Sequence, residues 1–185
     1  MADPMRKQKI ILTYEDYLSL PNDRNRHEIL EGELIMTPSS STKHQAISRN
    51  LTFILFSHTK KHGLGKIFNA PVDVLLDRFT IVVPDIVFIS KDRLNIITPR
   101  AIEGAPDLLV EILSPCTAKY DRISKMQLFN RFGVPWYWIV DPEGCTLEEY
   151  ERDEDAYRLK AAHSGKFEPA LFQGLTVDLS EVWES

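Results

Sequence analysis

The sequence predicts an α/β fold with a mixed, mainly antiparallel β-sheet. One long stretch has apolar residues at helical spacing, and several shorter apolar runs have the length of β-strands. These segments follow one another as hairpin, helix, several strands, helix and strands, which is an order typical of α/β proteins. We therefore expect the long helix to pack against the sheet.

The N-terminal part of the chain predicts a short helix, a hairpin and a long helix. Thr13 is followed three residues later by Asp16, which predicts a capped helix within TYEDYLSL. The apolar runs HEIL and ELIM flank Glu31-Gly32, a pattern that predicts a β-hairpin. The polar string TPSSST then offers N-caps for a long helix that ends at Gly63.

The rest of the chain predicts further strands and one more helix. Pro84 removes a backbone donor from the candidate strand at 81–89, so we expect that strand to bend there or to lie at an edge. A helix is predicted from about Lys119 to Phe132, before Gly133. The strand candidates are residues 66–69, 71–76, 81–89, 107–113, 136–141, 146–152 and 156–161, and the LTVDL tail predicts a strand with a short helical end.

Length and composition indicate an ordinary globular protein. The chain has 185 residues and a formal net charge of −5, so we predict one domain over residues 1–185, with about the first ten residues flexible. The net charge argues against broad non-specific attraction to nucleic acid, although a local basic patch is compatible with it. No apolar run approaches the roughly 20 residues that span a bilayer. The N-terminus lacks a secretory signal, so we expect a cytoplasmic protein with no membrane partner and with reduced Cys116 and Cys145.

Two acids interrupt apolar strands. Asp85 lies within IVVPDIVFI, and Glu111 lies within PDLLVEILSP. A carboxylate in such surroundings is unfavourable unless a cation, a proton or hydrogen bonds compensate it. Carboxylate pairs suit Mg²⁺, which can polarise a phosphoryl oxygen and activate a water. The alternative is that each acid caps backbone groups or pairs with an arginine, and the residues alone leave both interpretations open.

Three polar residues near these acids have two interpretations each. Asp121 and Lys125 are four apart on the predicted second helix, and this spacing favours an exposed ion pair of little energetic value. The alternative is that Lys125 points back towards the strand of Glu111, where its ammonium would stabilise phosphoryl charge or orient a water. His44 heads the long helix and could face the same site, but a single histidine near an N-cap favours a structural role.

The segments RHEILEGEL, IVVPDIVFIS, PDLLVEILSP and DRISKMQLFNRFGVPWYWIVDPE together resemble the Uma-two family. The resemblance runs in order from Thr13 to the LTVDL tail. It implies the restriction-endonuclease-like, PD-(D/E)XK fold, which is a central mixed β-sheet flanked by helices. In that fold, a glutamate near the N-terminus and acids from two further motifs hold a divalent metal.

The resemblance implies a site residue by residue. Three glutamates of the predicted hairpin compete for the first acidic role, and the family pattern selects Glu28 over Glu31 and Glu33. The metal would then be held by Glu28, Asp85 and Glu111. The basic pattern of the fold has a lysine two residues after the second acid, where this chain has Leu113. The Uma-two pattern carries a lysine on the following helix, which corresponds to Lys125 and completes the catalytic set Glu28, Asp85, Glu111 and Lys125.

We therefore expect a Mg²⁺- or Mn²⁺-dependent endonuclease that hydrolyses phosphodiester bonds, with DNA as the favoured substrate and RNA as an open alternative. By analogy with restriction-type folds, a homodimer is expected. The competing hypothesis is a non-enzymatic regulatory or nucleic-acid-binding protein that keeps the fold and its acids as structural residues. Geometry separates the two, because carboxylates that face a common space favour the enzyme and carboxylates bonded to arginines favour the alternative.

Overall fold

The structure is a computed structural model that describes residues 10–21, 23 and 25–184. The flexibility predicted for the N-terminus concerns mainly residues 1–9, which lie outside this described part. Within it, no helix is long and apolar enough to cross a membrane. Cys116 and Cys145 are both free, as predicted, and both are exposed.

Runs of strands are separated by helices along the chain. In order they are α1 (Tyr14–Tyr17), β1 (Arg26–Leu30), β2 (Glu33–Thr37), α2 (Thr42–His62), β3 (Gly65–Asn69), β4 (Val74–Asp77), β5 (Thr80–Val82), β6 (Ile86–Ser90), a 3₁₀ helix (Lys91–Ile96), β7 (Ile102–Glu103), β8 (Leu108–Ile112), a π-helix (Tyr120–Lys125), α3 (Met126–Arg131), β9 (Trp136–Asp141), β10 (Thr146–Asp153), β11 (Ala156–His163), β12 (Lys166–Phe167), β13 (Val177–Asp178) and α4 (Leu179–Trp183).

Three sheets are present in the described part of the chain. The largest has the strand order β11-β10-β9-β8-β6-β3 and is mixed, because β8 runs parallel to β9 while the other neighbouring strands are antiparallel. The second has the order β2-β1-β5-β4-β7, and β12 pairs with β13 in the third. The prediction of an α/β fold with a mixed, mainly antiparallel sheet is confirmed.

The six-stranded sheet is covered on both faces. Alternate residues of β8 point to opposite faces, so Leu108 and Val110 pack with Leu51 of α2 in one apolar cluster. Leu109 belongs to a second cluster on the other face, together with residues of α3 and of the five-stranded sheet. Burial on both faces explains why the β8 segment is almost entirely apolar. It also means that Glu111 must lie inside the molecule.

The predicted hairpin, the N-terminal cap of α1 and the C-terminal end of α2 are confirmed. Glu31 and Gly32 have φ angles of 52° and 81°, as a two-residue hairpin turn of the primed type requires. Thr13 and Asp16 form the expected capping box of α1, although that helix ends at Tyr17, earlier than predicted. Gly63 ends α2 in the left-handed conformation.

The strand predicted at 81–89 is wrong as one element. Residues 80–82 form β5 in the five-stranded sheet and residues 86–90 form β6 in the six-stranded sheet. Pro84 lies between them, at the place where the bend was expected. The break carries Asp85 from one sheet to the other. The helix predicted at 119–132 is also divided, because its first part is the π-helix and its second part is α3.

Candidate functional site

Four buried acids meet between the two larger sheets. Each has a side chain at most 3% exposed. They come from four places in the chain, namely β1, the break between β5 and β6, β8 and the π-helix. We call these residues the carboxylate cluster, and they are Glu28, Asp85, Glu111 and Asp121.

Lys125 lies among three members of the cluster. Its Nζ is 2.8 Å from Oε1 of Glu111 and 2.9 Å from Oε1 of Glu28. Oδ1 of Asp121 lies further away, at 3.6 Å, and receives no hydrogen bond from any described residue. The lysine side chain is only 3% exposed. The expectation of an exposed Asp121–Lys125 pair is therefore wrong, because the helix turns this face towards β8 and away from solvent.

Asp85 is held by a different set of donors. Arg26 donates from a guanidinium nitrogen to Oδ1 at 2.9 Å, and His44 Nε2 lies 3.1 Å from Oδ2. The backbone N–H of Ile112 also donates to Oδ2, at 2.8 Å. Both carboxylate oxygens thus have protein partners. Glu28 is fixed in a related way, since its Oε1 accepts the N–H of Val83 at 2.8 Å.

The environments of these groups shift their pKa values in opposite directions. Burial raises the pKa of Glu111 well above its ordinary value, and nearby Lys125 only partly opposes this. Burial likewise raises the pKa of Asp121. For Asp85, burial acts in the same direction, but the hydrogen bond with His44 and the charge of Arg26 prevail and lower its pKa. The pKa of Lys125 is raised, because Glu111 and Glu28 outweigh the effect of its burial.

The cluster contains more acids than compensating cations. Its four carboxyl groups carry four negative charges when all are ionised, against two positive charges from Arg26 and Lys125. With all four ionised, the surplus is two negative charges. Burial raises the pKa values of Glu111 and Asp121, so these two acids can also lower the surplus by binding protons. The site is therefore prepared to accept positive charge.

Two further acids, Glu31 and Asp107, lie outside the cluster. Glu31 pairs with Arg131 at the surface, at 2.8 Å. Asp107 accepts the N–H of Ser90 and contacts Arg93, so it ties the start of β8 to the end of β6. Glu28 is thus the hairpin glutamate that reaches the buried site.

A cavity of about 230 Å³ opens beside the Asp85 end of the cluster. It lies at the carboxyl ends of the parallel strands β8 and β9, which is where open α/β sheets usually bind ligands. Arg26 and His44 line it, as do Lys43 and several hydroxyl groups of the β2–α2 loop and of the turn after β8. The hydroxyl residues are Ser39, Ser40, Ser41, Ser114 and Thr117.

A protein-family model matches most of the chain. Residues 14–180, from α1 into α4, match the family model described as Uma2, "Putative restriction endonuclease". The chain belongs to the Uma2 family. This membership confirms the resemblance inferred from the sequence motifs.

Two relatives extend the Uma2 comparison. An "uncharacterized protein" of Synechocystis sp. is 26% identical over 147 residues, which are 78% of this chain and 76% of the relative. A crystal structure described as "a putative nuclease belonging to DUF820" from Anabaena variabilis is 21% identical, with a TM-score of 0.76. It covers 93% of this chain and 97% of its own. At that identity the likeness shows a shared fold, the restriction-endonuclease-like one.

The donor atoms of the carboxylate cluster suit a divalent metal, but cationic side chains of the protein occupy the space between them. Oxygen-only donors and two surplus negative charges suit Mg²⁺ or Mn²⁺. Among the described residues, however, no group of three or more His, Cys, Asp or Glu side chains is arranged to hold a metal ion. Lys125 contacts the glutamate oxygens, and Arg26 and His44 contact both oxygens of Asp85. A metal would need these side chains to rearrange.

The sequence interpretation missed two members of this Uma2 site and undervalued a third. Arg26 was not considered, although it lies two residues before Glu28 on one strand and so shares its face. Asp121 was interpreted as exposed. His44 was interpreted as structural, yet it contacts Asp85 directly. Strand alternation carried the signal for Arg26, whereas the burial of Asp121 depends on how the helix packs.

Proposed function

We propose that the protein is a Mg²⁺- or Mn²⁺-dependent nuclease that hydrolyses phosphodiester bonds, with DNA as the favoured substrate. The observation that carries the proposal is the meeting of four buried acids in the carboxylate cluster, next to an open cavity. Buried acids with perturbed pKa values beside a cavity are typical of active sites. Membership of a family described as restriction endonucleases supports the same reaction class.

The residues that would hold the metal are Glu28, Asp85 and Glu111. A bound divalent cation polarises a phosphoryl oxygen and activates a water. Hydrogen bonds from Arg26 and from the Ile112 N–H fix the orientation of Asp85 before any ligand arrives. The bond from Ile112 comes from the backbone, so it would hold Asp85 while Arg26 and His44 move aside for a metal.

Lys125 supplies positive charge to the same site. Its pKa is raised, so the Lys125 amine stays protonated at neutral pH. An ammonium in a buried site stabilises the negative charge that develops on a phosphoryl group more strongly than it would in water. This is the role that a lysine on the strand, at the position of Leu113, has in the basic pattern of the fold.

The cavity gives a nucleic acid a route to the cluster. Lys43 and the hydroxyl groups of the two lining loops are donors of the kind that contact phosphates. These contacts would compensate locally for the negative net charge of the chain. We therefore place the substrate backbone across this opening.

One observation favours the alternative, a non-enzymatic regulatory or nucleic-acid-binding protein. Asp85 is bonded to Arg26, and both of its oxygens have protein donors. In that case the acids would serve only to join the two sheets. The raised pKa values of Glu111 and Asp121 argue against this alternative, because burial of these acids is unfavourable and such perturbed groups cluster at functional sites.

A cleavage assay separates the two functions. Supercoiled plasmid is incubated with Mg²⁺, Mn²⁺ or EDTA and with wild type, Asp85→Asn, Glu111→Gln or Lys125→Gln. The exposed Asp92→Asn is the matched control. We expect metal-dependent nicking by wild type and the control, and its loss in the three cluster variants. Cleavage that survives Glu111→Gln would indicate a contaminating nuclease and contradict the proposed site.

The same proposal includes a homodimer and a cytoplasmic location. Two copies would present two sites to the two strands of a duplex. Light scattering on purified protein, with and without a DNA duplex, measures the number of copies. A mass that stays at one chain of 21.3 kDa in both conditions would contradict the dimer.

A further inference from the structure

We propose that Lys125 is the resident counter-ion of the carboxylate cluster, and that a divalent cation binds by displacing its ammonium from between Glu28 and Glu111. The inference rests on the proposed metal dependence and extends it. It assigns the lysine a function in the metal-free protein, which is to keep the acids folded together and to compete with the metal.

The contacts of Lys125 carry the first step. Its ammonium hydrogen-bonds Oε1 of Glu28 and Oε1 of Glu111, and these belong to the two glutamates expected to ligate the metal. Metal–oxygen distances are about 2.1 Å for Mg²⁺, so an ion on these oxygens would lie very close to the ammonium. Two positive charges at such a separation in a buried site repel strongly. The ammonium and the metal therefore exclude each other from this position.

The second argument for displacement comes from the charge of the cluster. When all four acids are ionised, the cluster has a surplus of two negative charges with Arg26 and the single positive charge of Lys125 in place. A divalent cation brings two, and the lysine remains attached to the chain nearby. Exchange therefore lowers the surplus, and this gain offsets the broken ammonium contacts.

The position of Lys125 in the chain leaves its side chain space to move when a metal binds. It ends the π-helix Tyr120–Lys125, and π-helices are rare and recur at functional sites. Tyr120 and Ile123 of this segment are exposed, so it forms an outer wall of the site. A small cavity of about 10 Å³, which is room for about one water-sized group, lies along that wall, and Glu28, Thr117, Tyr120, Asp121 and Lys125 are among the residues that line it. A flexible four-carbon side chain can move its ammonium into this cavity and still lie beside the metal.

The test measures Mn²⁺ binding to the full chain by calorimetry, without any substrate. The variants are Lys125→Met and, as the matched control, Lys119→Met, which removes an exposed lysine just before the same segment. We expect Lys125→Met to bind Mn²⁺ at least about tenfold more tightly than wild type, because a like charge has gone from a buried site. Lys119→Met should bind as wild type does. Equal or weaker binding by folded Lys125→Met would overturn the inference.

Lys125→Met leaves buried acids uncompensated and could unfold in EDTA. Circular dichroism then provides the readout, and folding regained on addition of Mn²⁺ supports the inference. If no fold is regained, Lys125→Met/Asp121→Asn removes one of the excess charges. Mn²⁺ affinity of this double variant equal to that of Asp121→Asn alone would overturn the inference.

The outcome is separate from that of the nuclease proposal. Metal-dependent cleavage by wild type, with equal Mn²⁺ affinity in Lys125→Met, would support the nuclease proposal and contradict the counter-ion proposal. Tighter Mn²⁺ binding by Lys125→Met, with no metal-dependent cleavage by wild type, would support the counter-ion and contradict the nuclease.

Discussion

The ammonium of Lys125 lies 2.8 Å from Oε1 of Glu111, although the two residues belong to different elements. Glu111 lies in β8, and Lys125 ends the π-helix fourteen positions later. Leu113, at the strand position where the basic pattern of the fold has a lysine, packs in the apolar cluster that includes Leu128 and Phe129. The positive charge therefore reaches the acid from the helix, and the strand keeps an apolar residue in its place.

Glu111→Gln should change how stability depends on pH. The folded pKa of Glu111 is raised above its ordinary value of 4.5, so above that pH the folded protein binds more protons than the unfolded chain. Stability contributed by this group is present below pH 4.5 and is lost as pH rises through the raised pKa. We expect Glu111→Gln to escape this loss, so its stability relative to wild type should increase with pH. Urea unfolding between pH 4.5 and 9 measures it, with the exposed Glu103→Gln as control, and parallel curves for Glu111→Gln and wild type would contradict the burial argument.

Arg26→Gln should weaken the fold at neutral pH and reduce the stability that is lost in acid. The variant removes a charged donor from buried Asp85, which we expect to cost about 1–3 kcal/mol at neutral pH. The folded pKa of Asp85 is lowered from 3.8, so its contribution is present above that pH and is lost as pH falls through the lowered pKa. Without Arg26 that pKa rises towards 3.8, so Asp85 has less stability to lose and the difference from wild type should shrink as pH falls below 3.8. Urea unfolding followed by circular dichroism, at neutral pH and in acid, measures this difference, with exposed Arg100→Gln as control, and wild-type stability of Arg26→Gln at neutral pH would rule out the role assigned to Arg26.

Ser41→Ala should destabilise the start of α2 and with it the position of His44. The Ser41 hydroxyl accepts the N–H of His44 at 3.2 Å, and loss of such a cap costs about 1 kcal/mol. For a chain of this size, that corresponds to a fall in Tm of about 2–4 °C. Calorimetry on this variant and on Ser40→Ala, which changes the preceding exposed serine, measures the difference. Equal Tm values for the two variants would show that the cap contributes nothing.

Lys43→Gln should weaken binding of a DNA duplex. Lys43 lines the cavity beside Asp85, where the proposed route of the substrate lies. Loss of one phosphate contact should weaken binding of different sequences alike and should reduce the salt dependence of log K by about one unit. Fluorescence anisotropy in EDTA, which prevents metal-dependent cleavage, measures both quantities. Lys60→Gln, which changes an exposed lysine near the other end of the same helix, is the control, and equal salt slopes for the two variants would move the substrate away from this cavity.

The sequence by itself determined the elements whose signals are local. The hairpin turn at Glu31-Gly32, the left-handed cap at Gly63 and the strand WYWIVD all depend on neighbouring residues, and all are present. The apolar surroundings of Asp85 and Glu111 also marked both acids as unusual, and both are buried. Local chemistry was sufficient for these features because turns, caps and strand burial are encoded by short stretches of chain.

Only the tertiary structure decided which charges meet. The interruption between β5 and β6 at Pro84 places Asp85 between two sheets, where Arg26 of β1 donates a hydrogen bond to it. The packing of the π-helix turns Asp121 and Lys125 inward, although their spacing is that of an ordinary surface ion pair. The physical reason is that pairing depends on distances between distant elements, and the energy of a charge pair depends on its burial. Neither quantity is written in the spacing of residues along one helix or strand.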